Sequence, residues 1–216
     1  MKELNFQIIT KDFDLNEEKK YLETLVAVAV ESSADILQLR NKKLSPDGIY
    51  RSALFIKKKL GGFKKNKKPM LIINDRPDIA YMAEADGVHL GQDDFPAAAA
   101  KRLFPSLIIG VSADNTSQAV QAEKDGADYI GAGPAYTTAS KTDAGNSISR
   151  GEIKKICEAV NIPVIAIGGI NEFSVKELAP SGINGVAVIN AVSGSKNPLN
   201  SACNIKKNID KYLKRV

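Results

Sequence analysis

Short apolar runs rich in β-branched residues alternate with helix-length segments from one end of the chain to the other, and this rhythm limits the fold more than any other feature. Strands are predicted over Phe6–Ile9, Ile36–Leu39, Met70–Ile73, Gly87–Leu90, Leu107–Val111, Tyr129–Gly131, Val164–Ile167 and Gly185–Ile189. Helices are predicted at about 15–32, 45–60, 77–84, 96–104, 116–125, 149–160, 172–180 and 198–214. Ser45-Pro46, Arg76-Pro77 and Phe95-Pro96 supply helix starts, while Gly61, Gly87, Gly126 and Gly182 follow predicted helix ends. EADGVHLG, DGADYIGAGP and SGINGVAVIN echo one another, each a helix end feeding a strand. A run of eight β-α units in 216 residues predicts an α/β chain folded as a single (β/α)8 TIM barrel domain over 1–216. An open doubly wound sheet is the alternative. It lacks the G-x-G-x-x-G turn after the first strand, where Thr10-Lys11-Asp12 stand.

Composition removes several function classes. At 44% hydrophobic and 25% charged residues the chain has the balance of a globular domain. No apolar run approaches the length of a membrane span, and MKELNFQIIT lacks the pattern of a signal peptide, so a cytoplasmic protein without membrane association is expected. The net charge of +5 comes from lysines at 57–59, 64–68 and the C-terminus, with few aromatics among them for base stacking; no nucleic-acid partner is expected. Cys157 and Cys203 stand far apart and outside any C-x-x-C, which argues against a disulfide or thiolate metal site.

A barrel gives meaning to INDRPDIAYMAEADGVHLGQDD at 73–94, where two apolar runs end in Asn74-Asp75 and Gln92-Asp93-Asp94. In parallel strands all C-terminal ends open on one face, so both clusters belong to one mouth. They are either caps of the following helices or ligands. The same rule adds Gln38, Arg40 and Lys42 after the second strand, with alternation pointing all three the same way. It also adds Ser112 after the fifth, the 133–149 loop after the sixth, Gly168-Gly169 after the seventh and Asn190 after the eighth. His89, the single histidine, falls inside a strand pattern and is read as packed. The inventory holds cations, amides, hydroxyls and glycines but few bases. A basic anion site with acids beside it and a glycine-rich anion site together point to Mg²⁺ and departure of pyrophosphate.

QLRNK, INDRPDIA, DGVHLGQDD, GVSADN, DYIGAGPAYTTASK, IPVIAIGGIN and GVAVIN occur in this order across almost the whole chain, and together they resemble the thiamine phosphate synthase family. The resemblance implies a barrel transferase. It would join 4-amino-5-hydroxymethyl-2-methylpyrimidine diphosphate to 4-methyl-5-(2-phosphoethyl)thiazole, releasing pyrophosphate with Mg²⁺ as cofactor. Carried over by position, it assigns Gln38, Arg40, Lys42, Asn74, Ser112 and Lys141 to the pyrimidine diphosphate, with Arg40, Lys42 and Lys141 as the catalytic cations. Asp75 and Asp94 become Mg²⁺ ligands. Thr138, Ser140, Gly169, Ile189 and Asn190 take the thiazole phosphate, with Gly168 beside them as part of the glycine-rich anion site. The family pattern is broken at Ser140, where threonine is usual, at Asp114-Asn115 in place of His-Thr, and at Asn190 in place of serine.

The implied chemistry needs no general base. An aminopyrimidine stabilises a carbocation at its exocyclic methylene once pyrophosphate leaves, and the thiazole nitrogen attacks without losing a proton. Two rivals come with this reading: a thiazole tautomerase on the same barrel, which relies on a histidine where Gly133-Pro134 stand here, and a non-catalytic sensor of phosphate ligands. The expected partners are small-molecule substrates, with self-association into a homo-oligomer allowed.

Overall fold

The computed structural model of the 216-residue chain describes residues 4–14, 18–64, 67–137 and 147–213. Its strands are β1 (Phe6–Ile9), β2 (Ile36–Leu39), β3 (Met70–Asn74), β4 (Gly87–Leu90), β5 (Ile108–Ala113), β6 (Tyr129–Ala132), β7 (Val164–Ile167) and β8 (Gly185–Val188). They pair in parallel and in sequence order, and β1 also pairs with β8, so the sheet closes into the expected barrel. The helices are α1 (Glu18–Glu31), α2 (Pro46–Gly62), α3 (Pro77–Met82), α4 (Ala97–Leu103), α5 (Thr116–Lys124), α6 (Arg150–Ala159), α7 (Ser174–Leu178), α8 (Asn190–Ser193) and α9 (Pro198–Tyr212), with a 3₁₀ turn over Ala179–Ser181. No helix of the described residues is long and apolar enough to cross a membrane.

Strands buried on both faces read as unbroken apolar runs, and alternation then sorts their side chains into two cores. Phe6, Ile8, Leu37, Leu71, Ile73 and Val88 face outward under the helices. Ile9, Ile36, Met70, Ile72, Tyr129, Ile165 and Ile189 fill the barrel itself. Tyr129 is the largest of these fully buried side chains, and glycine on the next strand makes its position possible: a Cβ on Gly110 would lie 2.1 Å from Tyr129 Cζ.

The echoed segments have a shared structural task. Asp35, just before β2, accepts the backbone N–H groups of Asn5 and Phe6 at 3.0 Å, at the start of β1. Asp86 before β4 accepts Leu71 N at 2.8 Å, Asp128 before β6 accepts Ile109 N at 2.8 Å, and Asn184 before β8 accepts Val164 N at 2.8 Å. Each even-numbered strand is thus latched to the odd-numbered strand preceding it, at the end of the barrel away from the mouth. The latch satisfies N–H groups at strand starts that the ladder leaves open.

Several boundaries differ from expectation. Asn74 and Ser112 lie within β3 and β5 rather than beyond them, and β8 stops one residue before Ile189. Gly61 is inside α2, whose cap is Phe63, and Gly87 begins β4; the left-handed residue after α3 is Glu84, at φ 49°. Gly126 and Gly182 do adopt left-handed conformations. The short α8 was not expected, because four residues carry too little periodicity to register as a helix.

Candidate active site

The basic pair after β2 is built from two loops. Arg40 is 3% exposed, and its backbone is held by Thr10, whose Oγ1 accepts Arg40 N at 2.9 Å and donates to Arg40 O. Asp12 Oδ1 accepts Lys42 N at 2.9 Å and lies 3.5 Å from an Arg40 terminal nitrogen. Arg40 Nε is buried and has no hydrogen-bond acceptor among the described residues, so a buried cation retains an unspent donor beside the mouth. That is the arrangement an anionic ligand completes. Strand alternation accounts for Gln38 alone; Arg40 and Lys42 both lie past the end of β2, where Thr10 holds the backbone of the buried Arg40 and Asp12 that of the exposed Lys42. Gln38 Nε2 donates to Asn74 Oδ1 at 2.8 Å, tying β2 to β3.

The two acids differ in what their surroundings do. The cap position of α3 is Arg76 and that of α4 is Pro96, and neither helix has a side-chain cap. Asp75 therefore caps nothing. It sits at φ 63°, a left-handed conformation unusual outside glycine, and its N–H donates to His89 O at 2.8 Å. Asp94 closes a turn instead: its Oδ2 accepts Gly91 N at 2.6 Å, and a Cβ on residue 91 would lie 2.7 Å from that oxygen. Its other role is to face Asp75. Burial, then a shared hydrogen bond with Asp94, then the charge of Asp94 push the Asp75 carboxyl up to about 7, against the opposing pull of Lys42 and Arg40. A buried carboxyl raised by a facing carboxylate is a position where a bound cation would replace the proton. Among the described residues no group of three or more acidic, histidine or cysteine side chains is arranged to hold a metal, so an ion held by Asp75 and Asp94 needs ligand oxygens as well.

Across the mouth, Lys42, Asp94, Ser112, Gly168, Gly169, Ile189 and Asn190 line one cavity of about 710 Å³. Gln38, Arg40, Asn74 and Asp75 stand beside it through the contacts just described. Ser112 is held by Gln92 Nε2, which donates to its carbonyl at 2.6 Å. Gly168 and Gly169 have φ of 97° and 63°, and a Cβ on either would meet the 134–137 segment at 2.5 and 2.7 Å. No other residue fits there, because the conformation and the space both exclude a side chain. Thr138, Ser140 and Lys141 lie outside the described residues. Thr10 and Asp12 escaped the sequence reading, although the strand-end rule applied to β1 would have found them. His89 is packed, as expected, at 5% exposure, but inside a polar chain rather than an apolar layer.

A family model described as thiamine monophosphate synthase matches residues 6–192. The chain is 42% identical over 186 residues to a thiamine-phosphate synthase of Methanocella arvoryzae, covering 85% of each chain. It is 38% identical over 213 residues to one of Methanococcus maripaludis, covering 98% of this chain and 97% of the other. Among solved structures, a thiamine phosphate pyrophosphorylase from Pyrococcus furiosus superposes with a TM-score of 0.84 at 33% identity, covering 98% of both chains.

Proposed function

The chain belongs to the thiamine monophosphate synthase family, and from that premise we propose how its barrel mouth carries out the family's transfer. The activity is condensation of 4-amino-5-hydroxymethyl-2-methylpyrimidine diphosphate with 4-methyl-5-(2-phosphoethyl)thiazole, giving thiamine phosphate and pyrophosphate. The observation that carries the residue assignments is the meeting of Asp75 and Asp94 beside Arg40 and Lys42. Asp75 and Asp94 would hold Mg²⁺, which when bound supplies positive charge against the diphosphate.

Arg40, Lys42 and Lys141 bind the diphosphate and neutralise the charge that grows on it as the carbon–oxygen bond breaks. The buried Nε of Arg40 supplies one donor for this, and Asp12 keeps the guanidinium turned toward the site. Gln38, Asn74 and Ser112 hold the pyrimidine. Thr138, Ser140, Gly168, Gly169, Ile189 and Asn190 hold the thiazole phosphate, so that the ring nitrogen lies against the methylene carbon; this positioning replaces a general base. The protein acts in the cytoplasm on small molecules.

The test couples products to a residue. With both substrates and Mg²⁺ the purified protein forms thiamine phosphate and pyrophosphate in equal amounts, and Lys141→Ala lowers kcat more than it raises the thiazole phosphate KM. A change confined to the thiazole KM removes Lys141 from the leaving-group role.

A further inference from the structure

A polar chain runs from the centre of the barrel to the mouth. Tyr129, fully buried, places its hydroxyl 3.0 Å from His89 Nδ1, and His89 Nε2 lies 3.0 Å from Ser112 Oγ, which borders the cavity. The phenol and imidazole centroids are 5.5 Å apart, and a Cβ on Gly131 would lie 2.9 Å from His89 Cε1. Gly110 and Gly131, on β5 and β6, thus clear the space these two rings occupy.

We propose that Tyr129 is a positioning residue for Ser112. Its hydroxyl selects the His89 tautomer protonated on Nε2, and Ser112 then directs its own O–H hydrogen into the pyrimidine pocket. This rests on the reading of Ser112 as a substrate contact.

The direction of the chain follows from donor counting. Burial raises the ionisation of the Tyr129 phenol well above its ordinary value, so the group remains an O–H donor. A buried donor needs an acceptor, and His89 Nδ1 is the one the structure sets against it. A neutral imidazole that accepts at Nδ1 carries its hydrogen on Nε2, where it meets the Ser112 oxygen. A hydroxyl that accepts from inside the barrel has its single hydrogen left for the cavity. The site therefore presents a donor at Ser112 and matches an acceptor such as a pyrimidine ring nitrogen. In the opposite tautomer Nδ1–H would donate to the phenol oxygen, leaving the buried phenol hydrogen without His89 as its acceptor, and Ser112 would spend its hydrogen on Nε2 and offer the cavity only an acceptor.

The chain has one histidine, so a long-range ¹H–¹⁵N correlation spectrum contains a single imidazole. The expected pattern is an unprotonated Nδ1 and a protonated Nε2 in the wild type, with Tyr129→Phe moving the ring toward the Nδ1-protonated tautomer. In the same variant kcat/KM for the pyrimidine diphosphate falls roughly 10-fold while the KM for thiazole phosphate holds. On a Ser112→Ala background Tyr129→Phe has no further effect, because Ser112 is the route by which Tyr129 acts. A wild-type ring protonated on Nδ1, or on both nitrogens, overturns the proposal, as do independent, multiplying effects of the two substitutions. The wild-type spectrum decides the tautomer even where Tyr129→Phe does not fold. Absence of thiamine phosphate formation would instead strike the assigned reaction and leave the spectrum standing.

Discussion

The two ends of the barrel use the same chemistry to opposite ends. Away from the mouth, Asp35, Asp86, Asp128 and Asn184 each turn an oxygen onto a backbone N–H of the neighbouring strand. At the mouth, Asp94 spends one oxygen on Gly91 N but otherwise faces Asp75, whose carboxyl is held above its ordinary range by burial and by Asp94. The first set stabilises the closed sheet; the second is a poorly satisfied pair that a cation would relieve. What an aspartate does is decided by its partner, not by its type or its place at a strand end.

The largest effect that tests this contrast is on turnover. Asp75→Asn and Asp94→Asn are expected to lower kcat by roughly 10²–10³-fold and to weaken activation by Mg²⁺, since an amide is a poor ligand for a hard cation. Asp93→Asn, at an exposed neighbour, should be mild, and the measurement is turnover against Mg²⁺ concentration. Normal Mg²⁺ dependence in Asp94→Asn would reduce that residue to a turn closure.

At the other end, Asp35→Ala removes a buried acceptor of two backbone N–H groups and the partner of Lys67. A loss of about 2–3 kcal/mol is expected, which is about 5–10 °C in Tm for a chain of this size. Turnover per folded molecule should be unchanged, and lost turnover with normal Tm would erase the distinction between the two ends.

A smaller effect is expected on the thiazole side of the mouth. Asn190→Asp adds a negative charge where the phosphate is assigned and should raise the thiazole phosphate KM about 10-fold, while Asn190→Ser stays near the wild type. An unchanged KM in Asn190→Asp places the phosphate elsewhere.

The smallest effect sharpens the comparison most. The Asp75 carboxyl is raised above its ordinary 3.8, so the folded state holds a proton the unfolded chain has released, and stability falls as pH rises from about 4 through about 7. Without Mg²⁺, Asp75→Asn should therefore stabilise the protein at pH 8. Asp75 is half-buried, and solvent screening limits the gain to about 1 kcal/mol, roughly 2–4 °C in Tm. The gain should vanish near pH 3, below the ordinary 3.8, where both states are protonated. Thermal midpoints at the two pH values check it, and a lower Tm at pH 8 would make Asp75 a stabilising group like Asp35.

Alternation of strand and helix patterns was enough to read the barrel, because parallel strands buried on both faces leave continuous apolar runs that few other folds produce. It was also enough to gather Arg40, Lys42, Asp75, Asp94, Ser112 and Gly168–Gly169 at one mouth, since parallel strands share an end. The sequence carried the echo of Asp35, Asp86, Asp128 and Asn184 too, as residues before strands, but not their bonds: a latch joins atoms 15 to 30 positions apart, and only the register between strands brings them within reach. For the same reason Asp12 could not be tied to Arg40, nor Tyr129 to His89 and Ser112. Local sequence sets which face of a strand a residue occupies; which neighbour it meets there, and whether that neighbour satisfies its charge or opposes it, is decided when the sheet closes.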